Sequence, residues 1–259
     1  MKKLTLAVLL GGCLLSAVYA QSPTLDHSSK KTKRWQVANV GVHLSPYAYN
    51  FPDITLAGLT SLSQRPGALG NQLLGFEQAE RIGADVIGSY LGAYVALNPR
   101  SRRKAGINTQ QELRIGFAYA PQREAMVDYR HASAYQHVTY CLVESELVVS
   151  ATYLFKTTWG SEERIQLYGG PGGQVSSTFD NLLFIVSSNV EGLERNELEA
   201  KASQYAKGYL QGGFSYQFVP HVAFTLEGQQ GIGVQFVHGA ENNMIGNFRS
   251  VNAGLQYQF

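Results

Sequence analysis

The chain has 259 residues, of which 15% are charged, with 27 glycines and a formal charge of +2. That length suits one large all-β domain or two small ones. So weak and scattered a positive charge argues against nucleic acid, which demands a clustered basic surface.

The first element is a leader. "MKKLTLAVLLGGCLLSAVYAQS" places Lys2 and Lys3 before an apolar run from Leu4 to Val18 and a small-residue site at Val18-Tyr19-Ala20. This is the plan of a secretory signal peptide over residues 1–20, cut between Ala20 and Gln21. A membrane anchor would need a longer run. A lipidated Cys13, suggested by Leu10-Gly11-Gly12-Cys13, would need a polar spacer where Leu14 to Val18 stays apolar. Loss of Lys2 and Lys3 takes Lys+Arg from 21 to 19 against 19 Asp+Glu, so the exported chain is formally neutral. Its single cysteine, Cys141, leaves no intramolecular disulfide.

Beyond the leader the pattern has period two. Eight segments carry it, 34–51, 83–97, 111–121, 139–156, 163–178, 204–218, 222–236 and 248–259. Most are longer than an ordinary strand, and several match the ~9–11 tilted residues that cross a bilayer core. In the third segment Leu113, Ile115, Phe117 and Tyr119 oppose Arg114, Gly116 and Ala118. In the fourth, Leu147, Val149, Ala151, Tyr153 and Phe155 oppose Glu146, Ser150, Thr152 and Lys156. Leu210, Phe214, Tyr216 and Phe218 oppose Gln211, Gly213, Ser215 and Gln217 in the sixth. In the seventh, Val222 to Phe236 carries apolar even positions down to Leu226 and again from Ile232, opposed by Glu227, Gln229 and Gln235. The polar face is rich in Gly, Ser and Gln rather than Lys and Glu, which suits a narrow polar lumen better than a water-washed exterior.

The connections are 52–82, 98–110, 122–138, 157–162, 179–203, 219–221 and 237–247. Tight "TTWGSE" and "VPH" fall at one end and long connections at the other, as in outer-membrane barrels; 98–110 is the exception. Tyr153, Phe155, Trp159, Tyr216, Phe218, Phe224, Tyr257 and Phe259 all lie at the tight-turn end, as an interfacial girdle does. The reading is an all-β fold: a closed antiparallel up-and-down transmembrane β-barrel of eight strands over 34–259, preceded by a periplasmic N-terminal segment at 21–33. The last strand must pair with the first, because closure removes every edge.

The ending, with Leu255, Tyr257 and Phe259 on one face, resembles the C-terminal signal of outer-membrane β-barrels. With the leader and the eight segments, residues 34–259 resemble the small barrels of the OmpA-transmembrane and OmpX type. The resemblance implies an outer-membrane location with both termini in the periplasm. It also implies recognition of Leu255, Tyr257 and Phe259 by the barrel-insertion machinery.

Chemistry is sparse. Arg114, Glu146, Gln211, Gln217, Glu227 and Gln235 face inward, where an eight-stranded barrel has room for little beyond its own side chains. They are expected to fill the lumen as a paired polar network. His131, His137 and His238 fall near the outer rim beside Asp128, Ser133 and Glu241, without a nucleophile signature; His27 lies in the N-terminal segment. "YGGPGG" from Tyr168 suits close packing over a large inward side chain, with a bulge at Pro171. The basic run Arg100, Arg102, Arg103 and Lys104 fits a solvated turn, and "EGLERNELEAKAS" from Glu191 has helix-forming composition. The expectation is a monomeric, non-enzymatic barrel among outer-membrane lipid, without cofactor or metal. It would act structurally or in recognition through external loops, or within an envelope export or assembly complex. A narrow pore for small solutes and a lipid-modifying enzyme are the alternatives.

Overall fold

Long alternating segments have one greasy and one polar side, and a sheet of them can satisfy both only by curling. In the computed structural model they curl into a closed ring. The structure describes residues 35–50, 80–99, 109–130, 137–159, 164–189, 192–237 and 244–259. The leader with Cys13 and the Ala20–Gln21 site, the 21–33 segment and the run Arg100–Lys104 lie outside the described residues.

The strands are β1 Trp35–Asn50, β2 Glu80–Pro99, β3 Thr109–Arg130, β4 His137–Trp159, β5 Ile165–Asn189, β6 Gly192–Glu199, β7 Ser203–Val219, β8 Val222–Val237 and β9 Met244–Gln258. All neighbours pair antiparallel, and β9 returns to β1, with Asn39 facing Gln258 and Asn50 facing Asn247. The Phe259 amide donates to the Ala38 carbonyl at 3.1 Å, so the seam is bonded to the last residue.

Nine stretches make eight wall positions. On β5, Ser177 faces Gln204 of β7 and Leu182 faces Glu199 of β6. The step is the same along both partners, so β6 and β7 are one strand interrupted at Ala200–Ala202. One backbone bond survives there, from the Ala200 amide to the Asn181 carbonyl at 3.0 Å, and a side-chain clasp flanks it. The Asn181 amide donates to the Lys201 carbonyl at 2.8 Å, and the Ser203 amide donates to Thr178 Oγ1 at 2.8 Å. Asp180 beside it has φ 55°, at a bulge where β5 gains one residue on β4.

The wall is uneven. β1 and β8 have 16 residues and β9 has 15, whereas β3, β4 and β5 have 22, 23 and 25. The barrel is therefore tall on the β3–β6 side and low across the β8–β9–β1 seam. Two sequence expectations change here. The connection expected at 122–138 shrinks to 131–136, because β3 and β4 continue pairing to Arg130 and His137. The stretch from Glu191, helical by composition, holds strand β6, because the long outer half of β5 offers it a full ladder. Tertiary pairing outweighs a weak local preference.

A third expectation moves. Pro171 lies in no bulge: β5 keeps one register against β7 from Ile165 to Ser177, and resumes the same register on β4 after a gap. A proline without an N–H loses one bond without inserting a residue. The proline at a bulge is Pro121, where β3 gains a residue between Ala120 and Arg123. The Ser145 hydroxyl donates to its carbonyl at 2.9 Å.

Large inward rings are seated on glycines directly opposite. Tyr94 lies over Gly41, Tyr47 over Gly88, His43 over Gly92 and Tyr209 over Gly172, so a Cβ at any of these glycines would enter the ring's space. Gly172→Val is expected to lower stability by about 1–3 kcal/mol through overpacking. Gly208→Ala, on the outer face with nothing within 4 Å of the added carbon, is expected to stay within about 0.5 kcal/mol. Urea titration of the folded protein in detergent reads both.

Candidate functional site

The inward residues of the strands gather into two ionic clusters stacked along the barrel. Nearer the tight-turn end, Glu112 and Arg114 of β3, Lys156 of β4 and Glu227 of β8 converge. Arg114 Nε donates to Glu112 Oε1 at 2.7 Å, Nη1 pairs with Glu227, and Lys156 Nζ pairs with Glu112. The carboxylates are then saturated by neutral donors. Asn39 Nδ2 reaches Glu112 at 2.9 Å, while Tyr168 OH and Gln211 Nε2 each reach Glu227 at 2.7 Å. The guanidinium lies between the rings of Tyr94 and Tyr168, 4.5 and 4.8 Å from their centroids.

The second cluster is further along the barrel. Arg123 of β3 pairs with Glu144 and Glu146 of β4 at 3.3 and 3.2 Å, and Lys207 of β7 approaches Glu146 at 3.6 Å. Tyr90 OH donates to Glu146 at 2.7 Å and the Ser176 hydroxyl donates to it as well. Arg123 Nη2 donates to Tyr205 OH at 2.8 Å, with its guanidinium carbon 4.2 Å from that ring's centroid. Each cluster holds two acids and two bases, so each is formally neutral. Removing one member of a buried pair strands its partner, whereas the intact set roughly balances its desolvation.

Between the clusters is a chamber of about 50 Å³, bordered by His43, Ser45, Arg114, Gln174, Tyr209 and Glu227 among others. Beyond the second cluster the lining becomes apolar, with Val138, Tyr140, Leu142, Leu183 and Ile185 buried on β4 and β5.

The six inward residues named from the sequence are distributed as follows. Arg114, Gln211 and Glu227 meet in the first cluster and Glu146 anchors the second. Gln235 is buried further along, donating to Ser203 Oγ at 3.0 Å. Gln217 faces inward at the mouth by the tight turns, half-buried, with its backbone amide on the Arg164 carbonyl at 2.9 Å. The sequence reading missed Glu112, Arg123, Glu144, Lys207 and the inward tyrosines. Tyr205, Lys207 and Tyr209 continue the alternate series of Gln211, so extending that series backward would have found them. Arg123 had no such signal, because the residue added at Pro121 shifts the parity of β3.

Of the rim residues, His131, His238, Ser133 and Glu241 lie outside the described residues, as does His27. His137 begins β4, and Asp128 accepts from the Thr139 hydroxyl at 2.6 Å. His43, by contrast, is in the lumen.

The outer surface is apolar, with Leu91, Val175, Leu210 and Ile232 each more than half exposed at 65, 60, 69 and 64%. At the tight-turn end Trp35, Phe155, Trp159, Tyr216, Phe218, Phe224, Tyr257 and Phe259 form an exposed fringe. Leu255, Tyr257 and Phe259 all face outward there, and the Tyr257 ring stacks on His221 of the β7–β8 turn at 5.9 Å. A closed antiparallel ring with a greasy, aromatic-fringed exterior and a self-paired polar lumen is an integral transmembrane β-barrel of the outer-membrane type.

No protein-family model matches the chain, and neither does any curated protein. Among solved structures it is similar to the outer-membrane protein OprG from Pseudomonas aeruginosa, at 14% identity over 86% of this chain and 96% of that one, with a TM-score of 0.41. A major outer-membrane protein from Thermus thermophilus is similar at 13% identity, over 85% of this chain and 99% of that one, TM-score 0.32. The outer-membrane protease OmpT from Escherichia coli is similar at 10% identity, over 89% of this chain and 100% of that one, TM-score 0.30.

Glu146→Ala leaves Lys207 without its carboxylate and is expected to cost about 3–5 kcal/mol. Adding Lys207→Ala should recover part of that loss. Urea midpoints of the single and double variants in detergent measure both effects.

Proposed function

We propose that this protein is a monomeric, non-enzymatic barrel of a bacterial outer membrane, acting structurally or in recognition from its tall end. The observation that carries this reading is the lumen. Its charges are paired in two neutral clusters, two of the pairs joining strands that share no ladder, and tyrosines pack around both guanidinium groups, so in this reading the polar interior fills the ring rather than passing solute. What remains for contact with other molecules is the end where β3 to β6 rise beyond the seam. In this reading the tight-turn end with Phe259 faces the periplasm and the tall end faces outward.

Planar-bilayer recording of the purified protein tests the lumen. Wild-type protein is expected to show no steady unitary openings, and reproducible open levels would refute the filled-lumen reading in favour of a pore.

Leu255, Tyr257 and Phe259 serve in this reading as the mark recognised by the insertion machinery. Deleting Phe259 should reduce heat-modifiable barrel in cell envelopes while purified protein still folds into detergent. Equal loss in both settings would make the residue merely structural.

A further inference from the structure

The outer wall carries a polar island inside its greasy band. On β9 the outward positions rise from the tight-turn end as Tyr257, Leu255, Ala253 and Val251, and then as Arg249 and Asn247. Gln230 of β8 is the ladder partner of Arg249 and also faces outward, and all three polar side chains are exposed. The apolar surface resumes beyond them, with Ile245 and Phe236 exposed higher on the same two strands. The island is therefore enclosed by the band and is not its upper end. Arg249 stands eight residues above Tyr257 on the strand. At about 3.3 Å per residue and a tilt of roughly 40°, that is a rise of about 20 Å in a band about 25 Å tall. Among the described side chains Arg249 is the sole charge on the outer faces of β1, β7, β8 and β9, and it has no ion pair there. On the outside of β3, β5 and β6 the described charges are acids, Glu124, Asp128, Asp180, Glu197 and Glu199.

We infer that Arg249, Gln230 and Asn247 seat the phosphate of one acyl-chain lipid in the leaflet remote from the tight turns. A cation facing hydrocarbon is costly, though less so toward an interface, and it is retained where something compensates its charge. The described wall supplies no partner, so the compensating charge comes from the lipid side. The guanidinium presents a planar fork of N–H donors to a phosphate, and Gln230 and Asn247 each add an amide. Side chains directly opposite on a ladder have Cβ atoms about 5 Å apart, so Arg249 and Gln230 can reach one phosphate together. Ile232, Val251 and Leu210, all more than half exposed, surround the island. Their apolar surface selects a phosphate that brings its own hydrocarbon over a free ion. On the β3–β6 side the same headgroup would meet acids. The long arginine stem lies against the wall while its charge rises toward the headgroups. The remote leaflet is the outer one in the orientation proposed for the barrel.

Native mass spectrometry of the full exported chain in neutral detergent reads the site. Dioleoyl phosphatidic acid is titrated against dioleoylglycerol, which has the same chains without the phosphate. One phosphatidic acid should bind per barrel, about tenfold or more tighter than dioleoylglycerol. Arg249→Gln should weaken phosphatidic acid by about tenfold or more, leave dioleoylglycerol unchanged and keep its heat-modifiable mobility. Arg249→Lys, which keeps the charge without the fork, should fall between the two. Inorganic phosphate at millimolar concentration should neither bind nor displace the lipid. Equal affinity for the two lipids, an Arg249→Gln variant that binds phosphatidic acid as wild type does, or competition by inorganic phosphate would each overturn the site. So would a lipid-free dimer that Arg249→Gln abolishes, because Arg249 would then face a second copy. Binding in detergent is indifferent to orientation, so failure of the proposed topology would move the site to the other leaflet without abolishing it.

Discussion

A peptide group in hydrocarbon finds no partner but another peptide group. Everything in this molecule follows from that one requirement. It forbids an open edge, so β9 must return to β1, and the seam is laddered from Asn50 down to Phe259. Once the ring is closed, alternation has only one reading: odd positions of β9 such as Leu255 and Tyr257 lie against lipid, and Asn252 and Gln256 turn inward. The bent clasp at Asn181 and Ser203 shows the same rule at its margin. Where the β5 ladder thins to a single backbone bond, from the Ala200 amide to the Asn181 carbonyl, side-chain atoms supply the bonds beside it.

Closure creates the second problem, an interior too narrow for water to solvate charge freely. The chain resolves it by pairing rather than by avoiding ions. Arg114 bridges β3 to β8 through Glu227, and Lys207 brings β7 toward Glu146 on β4. These contacts cross the barrel rather than running along a hairpin. They tie together strands that share no ladder, so they brace the ring across its bore. Apolar residues of like volume could match them in stability. What apolar packing could not match is direction, since each carboxylate accepts only from specified donors on specified strands.

Much of this architecture was legible in the sequence, for a physical reason. Period-two patterning survives wherever one face meets lipid, so the faces of β3, β4, β7 and β8 could be assigned from Leu113, Val149, Leu210 and Phe224 alone. Three things broke the pattern. A bulge at Pro121 reversed the parity of β3, which hid Arg123. Further along β4 the inward positions Val138, Tyr140 and Leu142 are buried and apolar or aromatic, so the polar-inside pattern that marks the lower wall gives no guide there. Helix-forming composition at Glu194–Glu199 gave no sign of the partner strand that overrides it, because that partner lies in the far half of β5. Within the candidate site, Arg114, Glu146, Gln211 and Glu227 could be placed on the inner face one strand at a time. Which of them meet could not, since the pairing depends on the stagger between strands, a property of the closed ring.

The rings seated on glycines carry a consequence for assembly. Alternation punishes a strand that slips by one residue, because it turns every side chain inside out. A slip of two residues keeps both faces correct and is invisible to that rule. Here Tyr94 meets Gly41, Tyr47 meets Gly88 and His43 meets Gly92 across the same β1–β2 boundary. Moving one strand by two places sets ring against ring or ring against bulky neighbour at all three points. The tumblers of a lock work in the same way: several independent depths must agree before the cylinder turns, and here they agree at a single alignment of the first hairpin.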